Sequence, residues 1–213
     1  MLENIDIFEF YKKFKIMSHK LKIVLKYTDP QVYRTVIVPE KFTFHELHNV
    51  IQCVMNWENA HLYQFNLGAP YGSDSIKLLD NQDKFGSIFG KRFQDLDSTE
   101  TFLSEIFNDQ KKKINYIYDF GDGWHHEIRV LQKPKEEVLY PKCIKGENAA
   151  PIEDCGSYPG FYDLIEISKK SRKTEEDKEM LEWYGIPNGV SFEKYYAFDL
   201  EEANAMLLEY FEK

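Results

Sequence analysis

The chain has 213 residues, 43% hydrophobic and 30% charged, and its 16 Phe, 14 Tyr and 3 Trp can fill a substantial core. That excludes a collagen-like repeat, a mucin-like stalk and wholesale disorder. Lys and Arg number 27 against 36 Asp and Glu, a formal charge of −9, so nonspecific nucleic-acid binding, which needs cations to neutralise phosphates, is not expected.

No apolar run approaches the about 18 residues that a membrane span needs. Glu3, Asp6 and Glu9 interrupt any leader-like apolar stretch. Cys53, Cys143 and Cys155 are then read as reduced thiols or metal ligands of a cytoplasmic protein.

Ile7, Phe10, Tyr11 and Phe14 repeat at helical spacing within residues 4–15, predicting an amphipathic helix on an N-terminal appendage, residues 1–18. Residues 19–213 read as one domain. Leu21, Ile23, Leu25 and Tyr27 alternate as a half-buried strand, Thr28-Asp29-Pro30 turns the chain, and Val32 to Val38 returns to form a hairpin. Thr43 with Glu46 has capping-box spacing ahead of Phe44, Leu47, Val50, Ile51 and Val54, predicting a helix to about Trp57. Strands are expected over 62–67 and 76–79, a weakly patterned connection over 80–97, and a short helix over 99–108. Ile114–Phe120 and Trp124–Leu131 flank Gly121-Asp122-Gly123 as a second hairpin. Residues 132–159 read as a long ordered loop. Helices are predicted at 160–169, 175–184 and 200–211, with Thr174/Asp177 and Asp199/Glu202 as capping pairs. Strands and helices do not alternate regularly. The expected class is therefore α+β: a mixed or antiparallel sheet with a central β-hairpin, packed by the early helix and the C-terminal helices.

The run Tyr118-Asp119-Phe120-Gly121-Asp122-Gly123-Trp124-His125-His126-Glu127-Ile128 resembles the signature of the plasmid pRiA4b Orf-3-like family. Further matching blocks are Pro30-x-Val32-Tyr33-Arg34, Leu47-His48, Trp57-x-x-x-His61-Leu62, Tyr140-Pro141-x-Cys143-x-x-Gly146, Ala150-Pro151-x-Glu153-Asp154-Cys155-Gly156, Leu181-Glu182-Trp183 and Phe192. They follow in order across residues 19–198. Tyr33 and Ile152 depart from the family's frequent tryptophan and proline, as packing changes. The resemblance implies an α+β domain associated with plasmids and mobile elements, and brings no reaction with it. A resolvase-like label carried by some members finds no support here, because no serine is flanked by the arginine set such chemistry needs.

Chemistry-bearing residues gather around these blocks. By strand parity Trp124, His126, Ile128 and Val130 share one face of their strand, so His126 is either a satisfied core histidine or a ligand or base. His61 and His48 also lean inward, and each is open to the same two readings. Asp122, between glycines, reads as a turn residue. Asp119 is a possible partner for Arg34, whose position on an apolar strand face calls for an acidic partner or a bound anion. Arg34, His48, His61, Asp119, Asp122, Trp124 and His126 thus form the candidate pocket. Cys143 and Cys155, with 11 residues between them, lack zinc-finger spacing. With two of His48, His61 and His126 they could still close a structural zinc site; alternatively both are buried packing residues.

No Gly-x-Ser-x-Gly elbow, phosphate loop or His-Glu-x-x-His helix is present. The favoured expectation is a binding or interaction module for a small molecule, peptide or protein near the Asp119–Gly123 hairpin. The alternatives are a metal-assisted hydrolase or nuclease-like enzyme using Asp119, Asp122 and the histidines, and an accessory DNA-handling protein of a mobile element.

Overall fold

The computed structural model describes residues 17–69, 72–79 and 94–212. The helix expected at 4–15 and positions 80–93 of the weakly patterned connection lie outside them.

The first hairpin pairs β1 (Ser18–Leu25) with β2 (Tyr33–Pro39) antiparallel, setting Leu21 opposite Val36 and Ile23 opposite Arg34. β1 thus begins at the last residue of the expected 1–18 appendage, and Tyr27, expected in the strand, stands outside it at φ 63°. Thr28 closes the turn: its hydroxyl donates to Leu25 O (3.0 Å) and accepts from Val32 N (3.0 Å).

α1 (Phe44–Met55) starts with a reciprocal box, Thr43 Oγ1 accepting from Glu46 N (3.2 Å) and Glu46 Oε2 from Thr43 N (2.7 Å). It stops at Met55, two residues before Trp57, capped by Asn56, whose φ of 58° is left-handed.

The remaining strands are β3 (Tyr63–Asn66), β4 (Ser75–Lys77), β5 (Asp95–Asp97), β6 (Lys113–Tyr118), β7 (Trp124–Val130) and β8 (Lys142–Glu147). They assemble in the order β5-β4-β3-β6-β7-β1-β2-β8. Among the described strands only β4–β5 pair parallel, so the α+β sheet is mixed, with the β6–β7 hairpin at its centre. Register aligns Arg34, Ile23, Ile128 and Ile114 in one row and Leu25, His126, Tyr116, Phe65 and Ile76 in the next. α1 lies over this face, with Phe44 against Phe65 and His48 stacked on Tyr63 at 3.6 Å between centroids.

Two strands depart from the sequence reading. β5 lies where a connection was expected, and β8 lies inside the expected 132–159 loop. Both are edge strands, and β8 carries Lys142, Lys145, Gly146 and Glu147, residues that blunt an edge and hide its alternation. The expected 99–108 helix is one turn, α2 (Leu103–Ile106), because Thr101 folds back on Asp97 O and its own carbonyl accepts from Phe44 N.

α3 (Ser157–Lys169), α4 (Glu175–Trp183), α5 (Phe192–Tyr195) and α6 (Leu200–Phe211) follow. α6 packs on α1 and β8. There the Asn204 amide acts as a surrogate strand, accepting from Cys143 N and donating to Cys143 O, both 2.9 Å. Among the described residues no helix is long and apolar enough to cross a membrane.

Candidate functional site

β6 ends at Tyr118, and the next residue, Asp119, turns left-handed with φ 55°, a conformation Asp tolerates better than most residues. The hairpin link is accordingly five residues, Asp119–Gly123, closed by Gly123 N donating to Asp119 O (2.7 Å). Asp119 Oδ1 accepts from Gly121 N (2.8 Å), leaving Oδ2 aimed elsewhere.

Oδ2 faces His61, whose Nε2 is 3.8 Å away. Asp119 N donates to Leu62 O (2.9 Å), and His61 N donates to Tyr118 Oη (3.3 Å), so the segment entering β3 is laced to the end of β6.

The third member is Asp154, with φ 56° and Oδ1 3.1 Å from His61 Nε2. Its loop is tied down at four points. Trp57 Nε1 donates to Pro151 O (2.8 Å), Tyr118 Oη donates to Glu153, Ser157 Oγ donates to Asp122 O (2.6 Å) and Tyr184 Oη donates to Asp154 O (3.1 Å). Glu153 also accepts from Glu58 N.

His61, Asp119 and Asp154 thereby offer one nitrogen and two oxygens, all within 4.8 Å of one another. Among the described residues this is the group of three or more His, Cys, Asp or Glu donors close enough to share an ion. His61 Nε2 is shielded from solvent yet makes no hydrogen bond. The side chain of Asp119 is 9% exposed and that of Asp154 74%, so the recess has a floor and an open side. Asp122, in the same hairpin link but outside this donor group, has a buried Oδ2 that makes no hydrogen bond among the described residues.

The other predicted residues lie apart from this group. His48 Nε2 pairs with Asn59 Oδ1 (2.7 Å), which makes that nitrogen the donor and lets Nδ1 accept from Tyr116 Oη (2.8 Å). Burial pushes its pKa down to about 3, against the raising effect of Asn59. His126 is fully buried beside Trp57 and Tyr116. Its Nδ1 donates to Trp124 O (3.0 Å), its Nε2 is unpartnered, and burial again lowers its pKa to about 3. Trp124 is buried, its indole N–H also unpartnered.

Arg34 does not pair with Asp119. Its guanidinium donates to four carbonyls: Val54 O (2.8 Å), Tyr33 O (2.8 Å), Glu147 O (2.9 Å) and Asn148 O (3.1 Å). Val54 lies in the last turn of α1, where the helix dipole favours a cation.

Of the two readings of Cys143 and Cys155, the zinc site with the histidines does not form among the described residues, where neither thiol joins a group of donors close enough to share an ion. All three cysteines are free and buried. Cys143 sits in β8 opposite Val36. Burial, with Asp122 and Asp154 nearby, pushes the Cys155 thiol up to about 12, and burial pushes Cys53 to about 11.

Asp154 and Glu153 were the residues missed as site members. Their signal was present only in the matching block around them, not in any metal-ligand spacing. The blocks separated in sequence, around Trp57–His61, Tyr118–Gly123 and Pro151–Gly156, meet at this one place.

Residues 17–205 match the sequence profile described as plasmid pRiA4b ORF-3-like protein. The chain belongs to that family. A relative within reach is the uncharacterized protein y4hQ of Sinorhizobium fredii, 32% identical over 167 residues, covering 78% of this chain and 80% of that one. The crystal structure of MM3350, a protein of unknown function from Methanosarcina mazei Go1, is similar with a TM-score of 0.69 and 30% identity, covering 88% of this chain and 96% of that one. Family membership therefore fixes the architecture on which the His61 recess is built, and the chemistry has to be argued from the recess itself.

Proposed function

We propose that the protein is a binding module whose site is the His61–Asp119–Asp154 recess, and that the recess holds a divalent cation through which a small molecule or a protein partner is engaged. The observation that supports this reading is the convergence of one imidazole nitrogen and two carboxylate oxygens within 4.8 Å from three separate segments. Two carboxylates that close repel one another unless a proton or a cation lies between them. Two of the donors also occupy left-handed backbone, a conformation that persists at functional sites when the surroundings over-determine it. A mixed nitrogen and oxygen set suits Mn²⁺, Fe²⁺ or Zn²⁺.

The open side at Asp154 leaves coordination positions for a ligand. It also favours a second reading, a metal-assisted hydrolase in which ion-bound water is the nucleophile. A cytoplasmic setting fits three free, buried thiols. The charge of −9 weighs against a nuclease or DNA-handling role.

Calorimetric titration of the full chain with Mn²⁺ and Zn²⁺ tests the reading. One ion should bind per chain, and Asp154→Asn and Asp119→Asn, which both keep a residue tolerant of left-handed backbone, should each weaken binding by at least about tenfold. No heat with either ion, or affinity unchanged in both variants, would end it. Hydrolysis of p-nitrophenyl phosphate by the loaded protein, lost in Asp154→Asn, would move the conclusion to the second reading.

A further inference from the structure

A second recess lies at the C-terminal end of α1. It is a cavity of about 390 Å³ between the C-terminal turn of α1, the 150–152 segment and the start of α6, within the volume range of small-molecule sites. Val54, Met55, Ala150, Ile152, Phe198 and Met206 give it an apolar lining, and Arg34 lines it as well.

Arg34 is 2% exposed and makes no ion pair with any described carboxylate; its four partners are carbonyls, which bring dipoles but no negative charge. Nη2 donates to Asn148 O and makes no second hydrogen bond among the described residues. Phe198 covers the guanidinium face at 4.1 Å, which fixes its plane and leaves its edge as the cationic feature of a lining that also carries Asn56, Asp199 and Glu202.

The arrangement is built with little slack. A Cβ on Gly146 would come within 2.6 Å of Phe198 and 2.7 Å of Arg34, so the backbone of β8 must be bare for the ring and the guanidinium to stack. Burial pulls the Arg34 pKa down to about 10, still charged at neutral pH. Asp199 and Glu202 also line the cavity, but both are exposed, and Asp199 Oδ1 is taken by the Glu201 and Glu202 amides. Solvent screens them far more than it screens Arg34.

We propose that this cavity is a binding site for a small organic carboxylate with an apolar or aromatic body, its anionic head on the Arg34 edge and its body among Phe198, Ile152 and Met206. The cavity contains none of the three cation donors, so this proposal does not rest on the function proposed above.

Phenylacetate and hexanoate, each with its neutral amide, are the probes, titrated against the full chain by ¹⁵N–¹H NMR. At least one acid should bind, with shifts centred on Phe198 and Ala203, and its amide should bind at least about tenfold more weakly. Met206→Glu, which places a negative charge on an α6 position that is only partly buried, should weaken the acid by about tenfold while the protein stays folded. Arg34→Gln should abolish the preference for acid over amide if it folds; if it does not, Met206→Glu decides. No acid binding at about 10 mM, equal binding of acid and amide, or a Met206→Glu variant that binds the acid unchanged would overturn the proposal.

Discussion

Acidification should unfold this protein earlier than its carboxylates alone require, because two histidines are buried in neutral form. His48 and His126 have pKa values near 3 in the folded chain against an ordinary 6.5, with burial as the main cause in both. His45 and, at His126, His125 and Arg34 push the same way. The unfolded state therefore binds protons that the folded state refuses. Stability is fully present above about pH 6.5 and falls as pH drops from there toward about 3.

Between pH 7 and pH 5 each ring accounts for a loss of about 2 kcal/mol, so the pair accounts for about 4 kcal/mol, a large share of an ordinary domain's stability. Burial lowers the pKa of His19 and His125 as well, and both act in the same direction. Glu127 and Asp177 are held below their ordinary range, for Glu127 by Arg129 and Lys113 against a burial effect that raises it, for Asp177 first by Lys170. Their stabilisation is lost only at lower pH, outside this window.

Urea unfolding midpoints at pH 7, 6 and 5 and constant ionic strength read the loss directly. His126→Leu is the control. It removes an unpartnered Nε2 and the Nδ1 bond to Trp124 O, so the variant should lose about half the pH slope and gain on the parent as pH falls, whatever its stability at pH 7. A parent that loses under about 1 kcal/mol between pH 7 and 5 would refute the reasoning, since at least one ring would then be taking its proton inside the fold.

Two further substitutions test how the elements are joined. Gly160→Ala places a Cβ 1.7 Å from Cys155 O, a backbone atom; the loop carrying Asp154 has to move, so thermal stability should fall by about 3 kcal/mol and cation affinity with it, and a variant as stable as the parent would contradict the packing. Asn204→Ala removes both bonds to Cys143 and exposes the outer ladder of β8, costing about 1–3 kcal/mol in chemical unfolding and promoting self-association visible by size-exclusion chromatography.

Local chemistry made much of the fold legible. The Thr43/Glu46 and Thr174/Asp177 boxes form with both bonds in place, and Asp199 caps α6 through one oxygen shared by two amides. Parity along β7 correctly turned Trp124, His126 and Ile128 to the covered face, because alternation is a property of the strand alone. β8 escaped because an edge strand needs no apolar alternation, and its lysines and Gly146 read as loop. Arg34 misled for a related reason. The demand for an acidic partner treats charge as the only compensation, whereas the end of α1 and three further carbonyls supply dipoles that no spacing rule could place.

The same distinction separates the two histidines that look alike in the sequence. His126 and His61 each share a strand-like parity with apolar neighbours. His126 sits within β7, where ladder pairing on both sides fixes its burial, so its fate is decided by the sheet. His61 precedes β3 by two residues, and what it meets is decided by bonds that reach across 94 residues from Trp57 to Pro151 and across 35 from Tyr118 to Glu153 and from Asp122 to Ser157. Those contacts bring Asp154 to the imidazole, and they come from indole, phenol, carboxyl and hydroxyl groups whose partners lie outside any local window. A site assembled by long-range docking of a loop is visible in one sequence only as separate blocks of unexplained polar residues, and here those blocks mark where the recess is.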